Sequence, residues 1–223
     1  MTRVRDGLAW RWHLWRRCAF LVRTFRNGLA LARAYRGKRP CGQAKLWDGT
    51  QFRHPPARTG LAETILEVWY DEVYTGAFYR PTPGDVIIDA GANIGLFAVW
   101  LARRHPDCRV LAVEPFGENF ALLEANIASA RVSNVSAHKA GLGGETGRGR
   151  MESVGARSLD HRMSAAPTGG VEGVPVYSFA DALRLAGGRV ALFKIDIEGS
   201  EHDLFARAAA DDLAGVARYA IEY

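Results

Sequence analysis

The stretch Asp85 to Gly95, DVIIDAGANIG, reads as a strand, a tight turn and the start of a helix. Val86, Ile87 and Ile88 are a short β-branched run of the kind a strand buried on both faces requires. Asp89 ends the run, and Gly91, Asn93 and Gly95 follow at alternate positions. Glycine takes left-handed backbone angles without strain, and asparagine tolerates them, so this turn can pass close to a ligand before the helix begins. Leu96, Phe97, Val99, Trp100 and Leu101 then recur at helical spacing. The spacing is not the G-x-G-x-x-G of dinucleotide-binding sheets, which counts against a nicotinamide-dependent oxidoreductase.

The same pattern recurs downstream. Arg109 to Pro115 (RVLAVEP) is a second apolar strand, and Phe120 to Ala130 supplies a helix. Val135 to Leu142 is a weaker third strand. Gly143 to Gly173 is longer than loops in compact domains usually are, so it is either a lid over a site or a concealed hairpin. Val174 to Tyr177 is extended, and Ser178 with Asp181 three residues on forms a capping box for a helix through Leu185. Val190 to Ile197 (VALFKIDI) is a fourth strand, Glu201 to Ala209 is helical, and Tyr219 to Tyr223 (YAIEY) is a fifth strand. Strands alternating with helices imply a parallel sheet with helices on both faces.

Three of these strands finish with acids: Asp89, Glu114, and Asp196 with Glu198. Ligands of open parallel sheets bind at the carboxyl ends of the strands, so the four carboxylates can converge. Glu114 stands about 20 residues beyond the glycine turn, where a carboxylate can accept both hydroxyls of a ribose. An acid beside the turn, Asp89, would repel a pyrophosphate but can order the loop or reach a cationic ligand through water, which suits a nucleoside carrying an ammonium or sulfonium group.

Away from the sheet, the charge is uneven. The net charge is +5, yet residues 1–39 hold 11 Lys or Arg and one acid, leaving an acidic remainder. A nucleic-acid partner is therefore not expected for the body. Residues 8–35 read as one basic helix, with Leu14, Cys18, Leu21, Phe25, Leu29 and Ala32 on one face, Arg16 and Arg23 opposite, and Trp10, Trp12 and Trp15 near its start. Peripheral attachment to an anionic membrane and packing on the body or a partner are both open. Cys18, Cys41 and Cys108 show neither disulfide nor zinc spacing, which fits a reducing, cytoplasmic compartment. No stretch is apolar enough to span a bilayer, and no signal peptide is apparent. Turns at Gly37 to Pro40 and Pro81 to Gly84 divide the chain into a basic helix (1–39), a connector with a helix over Leu61 to Tyr70 (40–83), and the α/β body (84–223).

DAGANIG (89–95), AVEP (112–115), Asn126, KIDIEGSE (194–201) and the terminal IE (221–222) together resemble the FkbM family of S-adenosylmethionine-dependent methyltransferases. The resemblance covers residues 84–223. It implies a Rossmann-like class I methyltransferase sheet, S-adenosylmethionine as cofactor, and a small-molecule or glycan hydroxyl as acceptor. By position, Asp89, Gly91, Ala92, Asn93 and Gly95 would hold the methionine part of the donor, Glu114 its ribose, and Pro115 and Gly141 would complete the donor site. Asp196 would stand beside the transferring methyl as the base, with Glu198 and Glu201 binding the acceptor or holding the loop. His202 is either an additional base or a surface residue. The family sheet continues past its fifth strand, so the resemblance also implies a sheet shortened here, and a non-catalytic donor-binding scaffold is the competing reading. No His or Asp constellation has metal-ligand spacing.

Overall fold

The computed structural model describes residues 2–153, 161–165, 173–197 and 199–222. It divides into two compact units, one ending at Val73 and the other beginning at Tyr74.

The first unit opens with α1 (Thr2–Thr24) and α2 (Gly28–Gly37), continues through the hairpin strands β1 (Gln43–Lys45) and β2 (Gln51–Arg53), and closes with α3 (Leu61–Ile65) and a π-helical turn over Leu66–Tyr70. The single helix expected over residues 8–35 is thus broken. Asn27 leaves the helix to bond β1, its Nδ2 donating to Gln43 O at 3.0 Å and its Oδ1 accepting from Lys45 N at 2.8 Å. Gly28 is needed at the break because a Cβ there would collide with the Leu21 carbonyl. Leu21, Phe25 and Leu31 pack inward beside Phe52, Ile65 and Leu66. Trp69 meets Phe25 at a tilt and Phe52 edge-on, with ring centroids 5.4 and 5.3 Å away. Leu29, read as part of the apolar face, is exposed because the turn rotates α2 out of phase with α1. Of the connector expected over 40–83, residues 40–73 belong to the same compact unit as the helices.

The second unit is the α/β body. Its elements are β3 (Val86–Ala90), α4 (Leu96–Arg104), β4 (Arg109–Val113), α5 (Gly117–Ala130), β5 (Val135–His138), β6 (Gly141–Leu142), β7 (Gly147–Ser153), β8 (His161–Ala165), β9 (Val174–Tyr177), α6 (Phe179–Ala186), β10 (Leu192–Ile195), α7 (Glu201–Ala206), α8 (Ala210–Ala214) and β11 (Tyr219–Ile221). Five strands form a wholly parallel sheet in the order β11-β10-β3-β4-β5. This is the Rossmann-like α/β arrangement expected. Ile88, Leu111, Val113, Phe193 and Ile195 bury one face of it against Phe179, Leu183 and Ala186 of α6. The Ser178 and Asp181 capping box that starts α6 is formed.

The expected third strand splits. Val135–His138 completes the main sheet, whereas Gly141–Leu142 joins a second sheet of order β6-β9-β7-β8. Within it β7 and β8 pair antiparallel, Gly149 opposite Ala165 and Ser153 opposite His161, so the segment 143–173 contains a hairpin. In the main sheet, β3 has β4 on one side and β10 on the other, and the chain order reverses there. A crevice opens at such a point, outside the carboxyl ends of the strands.

Candidate functional site

Parallel register aligns the acids at that crevice. Lys194 of β10 lies opposite Asp89 of β3, and Asp89 lies opposite Ala112 of β4, two residues before Glu114. After β3 the chain turns sharply, with Gly91, Asn93 and Gly95 all left-handed at φ of 70, 51 and 84°. Two interactions freeze the turn. Asn126 of α5 donates its Nδ2 to Ile94 O at 2.8 Å, and Glu114 accepts from Asn93 N at 2.8 Å. Gly91 packs so closely on the Asp196 carbonyl that a Cβ would collide with it, while a Cβ on Gly95 would lie 2.5 Å from Leu123 Cδ1. Asp89, Ala92 and Gly95 are buried and shape the turn, whereas Gly91 and Asn93 keep part of their surface.

Glu114 is 5% exposed. Its Oε1 accepts from Phe116 N at 2.9 Å, its Oε2 from Asn93 N, and the Asn119 side chain donates as well. Burial raises its pKa above the ordinary carboxylate value, and these hydrogen bonds hold the rise back. The Oδ1 of Asn119 is buried beside it with no hydrogen-bond partner among the described residues.

Lys194 organises the other half of the site. Its Nζ lies 3.0 Å from Asp89 and 3.6 Å from Asp196, and donates to Gly91 O at 3.3 Å. Burial works to lower its pKa, but Asp89 and Asp196 outweigh burial and hold it above its usual value. Asp89 is fully buried and its charge is met from within the protein by Lys194. Among the described residues, neither Asp89 oxygen receives a hydrogen bond of good geometry. Asp196 remains partly open, its side chain 30% exposed, and Glu222 is exposed. Burial raises its pKa, Lys194 opposes the rise, and the charges of Glu222 and Asp89 add to it.

Tyr74 closes the cluster. Its hydroxyl donates to Glu222 Oε2 at 2.6 Å, and its ring lies 5.0 Å from Lys194 Nζ. Burial and the bond to Glu222 push the phenol well above its usual range. Three carboxylates thus surround one ammonium, which leaves a net negative crevice.

Of the other residues singled out, Glu201 accepts from Ile197 N at 3.0 Å and so holds the loop after β10. His202 is exposed on α7. Gly141 lies in the second sheet, paired with Val176. Pro115 is half-buried after β4, and Glu198 lies outside the described residues. The sequence pattern assigns no role to Lys194 or Tyr74. Lys194 carried a readable signal, since a lysine inside a buried apolar strand requires partners. Tyr74 carried none, because only the fold brings it beside Glu222.

The methyltransferase FkbM domain model matches residues 89–222. "Methyltransferase 1" of Beauveria bassiana is 35% identical over 99 residues, 44% of this chain and 39% of that protein. "31-O-demethyl-FK506 methyltransferase FkbM" of Streptomyces tacrolimicus is 37% identical over 90 residues, 40% of this chain and 34% of that one. The match thus spans well under half the length of these relatives. Among solved structures, TYW2 of M. jannaschii in complex with AdoMet matches at 22% identity over 43% of this chain and 41% of that chain, with a TM-score of 0.35.

Proposed function

Because the chain belongs to the FkbM methyltransferase family, we propose that it methylates a hydroxyl oxygen of a sugar, glycan or natural product with S-adenosylmethionine as donor. The observation that carries this reading is Asp196, a partly open carboxylate of raised pKa at the crevice between β3 and β10. A raised pKa makes a carboxylate a better base near neutral pH.

The residues fit the donor. A carboxylate has about four acceptor sites. Three at Glu114 are taken by Asn93, Phe116 and Asn119. The site that remains, together with the unpartnered Asn119 Oδ1, can accept the two hydroxyls of a ribose. Glu114 therefore serves one hydroxyl rather than both. The excess of carboxylates around Lys194 suits a cationic ligand.

When bound, S-adenosylmethionine supplies an electrophilic methyl on a sulfonium centre. Asp196 accepts the proton of the acceptor hydroxyl at its carboxylate. Lys194 favours the ionised form of that carboxylate and limits its motion, and the locked Gly91 to Gly95 turn fixes the donor side, so alignment is built before binding. Titration calorimetry with S-adenosylmethionine and with NAD tests the reading. Saturable binding of the first alone, lost in Glu114→Ala and weakened in Asn119→Ala, is expected. Normal donor binding by Glu114→Ala would falsify the ribose assignment, and radiolabelled methyl transfer to hydroxyl acceptors that is unchanged in Asp196→Asn would sink the base assignment.

A further inference from the structure

The apolar face that the sequence marks on the first helix is used internally: Leu21 and Phe25 are buried and Leu14 and Cys18 half-buried. On the same side Arg17 bonds Tyr35 at 3.1 Å and pairs with Asp71. A second face of α1 points outward. Trp12, Trp15, Ala19 and Val22 follow at spacings of three and four residues and so form one stripe. Trp12 and Trp15 are 61% and 59% exposed and stack at 5.0 Å. Arg16 and Arg23, both exposed, flank the stripe on one side and exposed Arg11 on the other. Trp47, in the turn between β1 and β2, is 68% exposed and donates its Nε1 to Arg23 O at 3.1 Å, which sets a third indole at the end of the stripe.

We propose that this outer face of α1, extended by Trp47, docks on a lipid bilayer rich in anionic headgroups. Indoles partition into the interfacial layer, and flanking guanidiniums pair with lipid phosphates. Charge selects this occupant. Residues 1–39 carry 11 basic residues and one acid, so a second copy of the same face would oppose like charge with like charge. The helix does not cross the bilayer: among the described residues no helix is long and apolar enough to do so. It lies along the surface, held by its inner face to the rest of its unit.

The test uses the full chain with vesicles of phosphatidylcholine alone and with added phosphatidylglycerol. Pelleting with the anionic vesicles, a shift of tryptophan emission to shorter wavelength, and loss of both at high salt are expected. Trp12→Ser/Trp15→Ser/Trp47→Ser should partition at least about tenfold less, and Arg16→Glu/Arg23→Glu should abolish the preference for anionic lipid. All five positions are exposed, and circular dichroism checks that both variants fold. Failure to pellet, equal binding to neutral vesicles, a dimer by light scattering that hides the tryptophans, or binding to an oligonucleotide as tight as to the vesicles overturns the proposal. None of these residues belongs to the donor site, so calorimetry with S-adenosylmethionine reports separately on the methyltransferase reading.

Discussion

Asp196 and Lys194 act on stability in opposite directions. Burial raises the Asp196 pKa, so its ionisation works against the fold. Below the unfolded-state pKa both states are protonated and the group contributes nothing. As pH rises through the folded value the wild type loses stability that an asparagine variant keeps. Asp196→Asn is therefore expected to unfold at higher urea than the wild type at neutral pH, with the gap closing in acid, while turnover falls by about 10² to 10⁴. Lys194→Met lowers stability instead. It strips the fully buried Asp89 of its counterion, at a cost of about 3 to 5 kcal/mol read from urea unfolding. The carboxylates themselves were legible in the sequence because they end apolar strands. That the lysine between them is the keystone was not, since parallel register sets Lys194 opposite Asp89 across 105 residues of chain.

Secondary structure followed the sequence wherever an element was buried on both faces. The runs VIIDA, RVLAV and LFKI became β3, β4 and β10. It was obscure where strands pair without apolar runs: β7 is GRGRMES, whose glycines and arginines read as loop. The break between α1 and α2 did have a signal, the Asn27-Gly28 pair, which the regular apolar spacing on either side masked. The glycine turn after β3 makes its own prediction. Gly91→Ala adds a left-handed alanine and a clash with backbone that cannot move aside, at about 3 kcal/mol or more. Gly95→Ala meets the end of a leucine side chain, which can rotate, so its cost should stay near 1 to 2 kcal/mol. Urea midpoints of the two variants should fall in that order.

At the scale of the whole molecule, the acidic crevice and the basic surface belong to different units, and each should respond to its own ligand. S-adenosylmethionine at about 100 times its Kd should stabilise the body by about 2.7 kcal/mol, seen as a rise in Tm that Glu114→Ala abolishes. A rise that survives Glu114→Ala would place the donor elsewhere. Charge asymmetry was readable from composition alone; the packing of residues 40–73 onto the helices was not, because Phe25, Phe52 and Trp69 meet only in three dimensions. The contact of Gly91 with Asp196 has a consequence for what this protein can become. It engages the carbonyl of Asp196 and not the carboxylate, so a side-chain change at position 196 that keeps the backbone N–H bonded to Ala90 O leaves it in place. Position 91 is consequently closed to mutation while position 196 is open to it. The scaffold can exchange its reactive group for another without relearning how to fold, which gives selection, or a designer, one interchangeable part in an otherwise fixed frame.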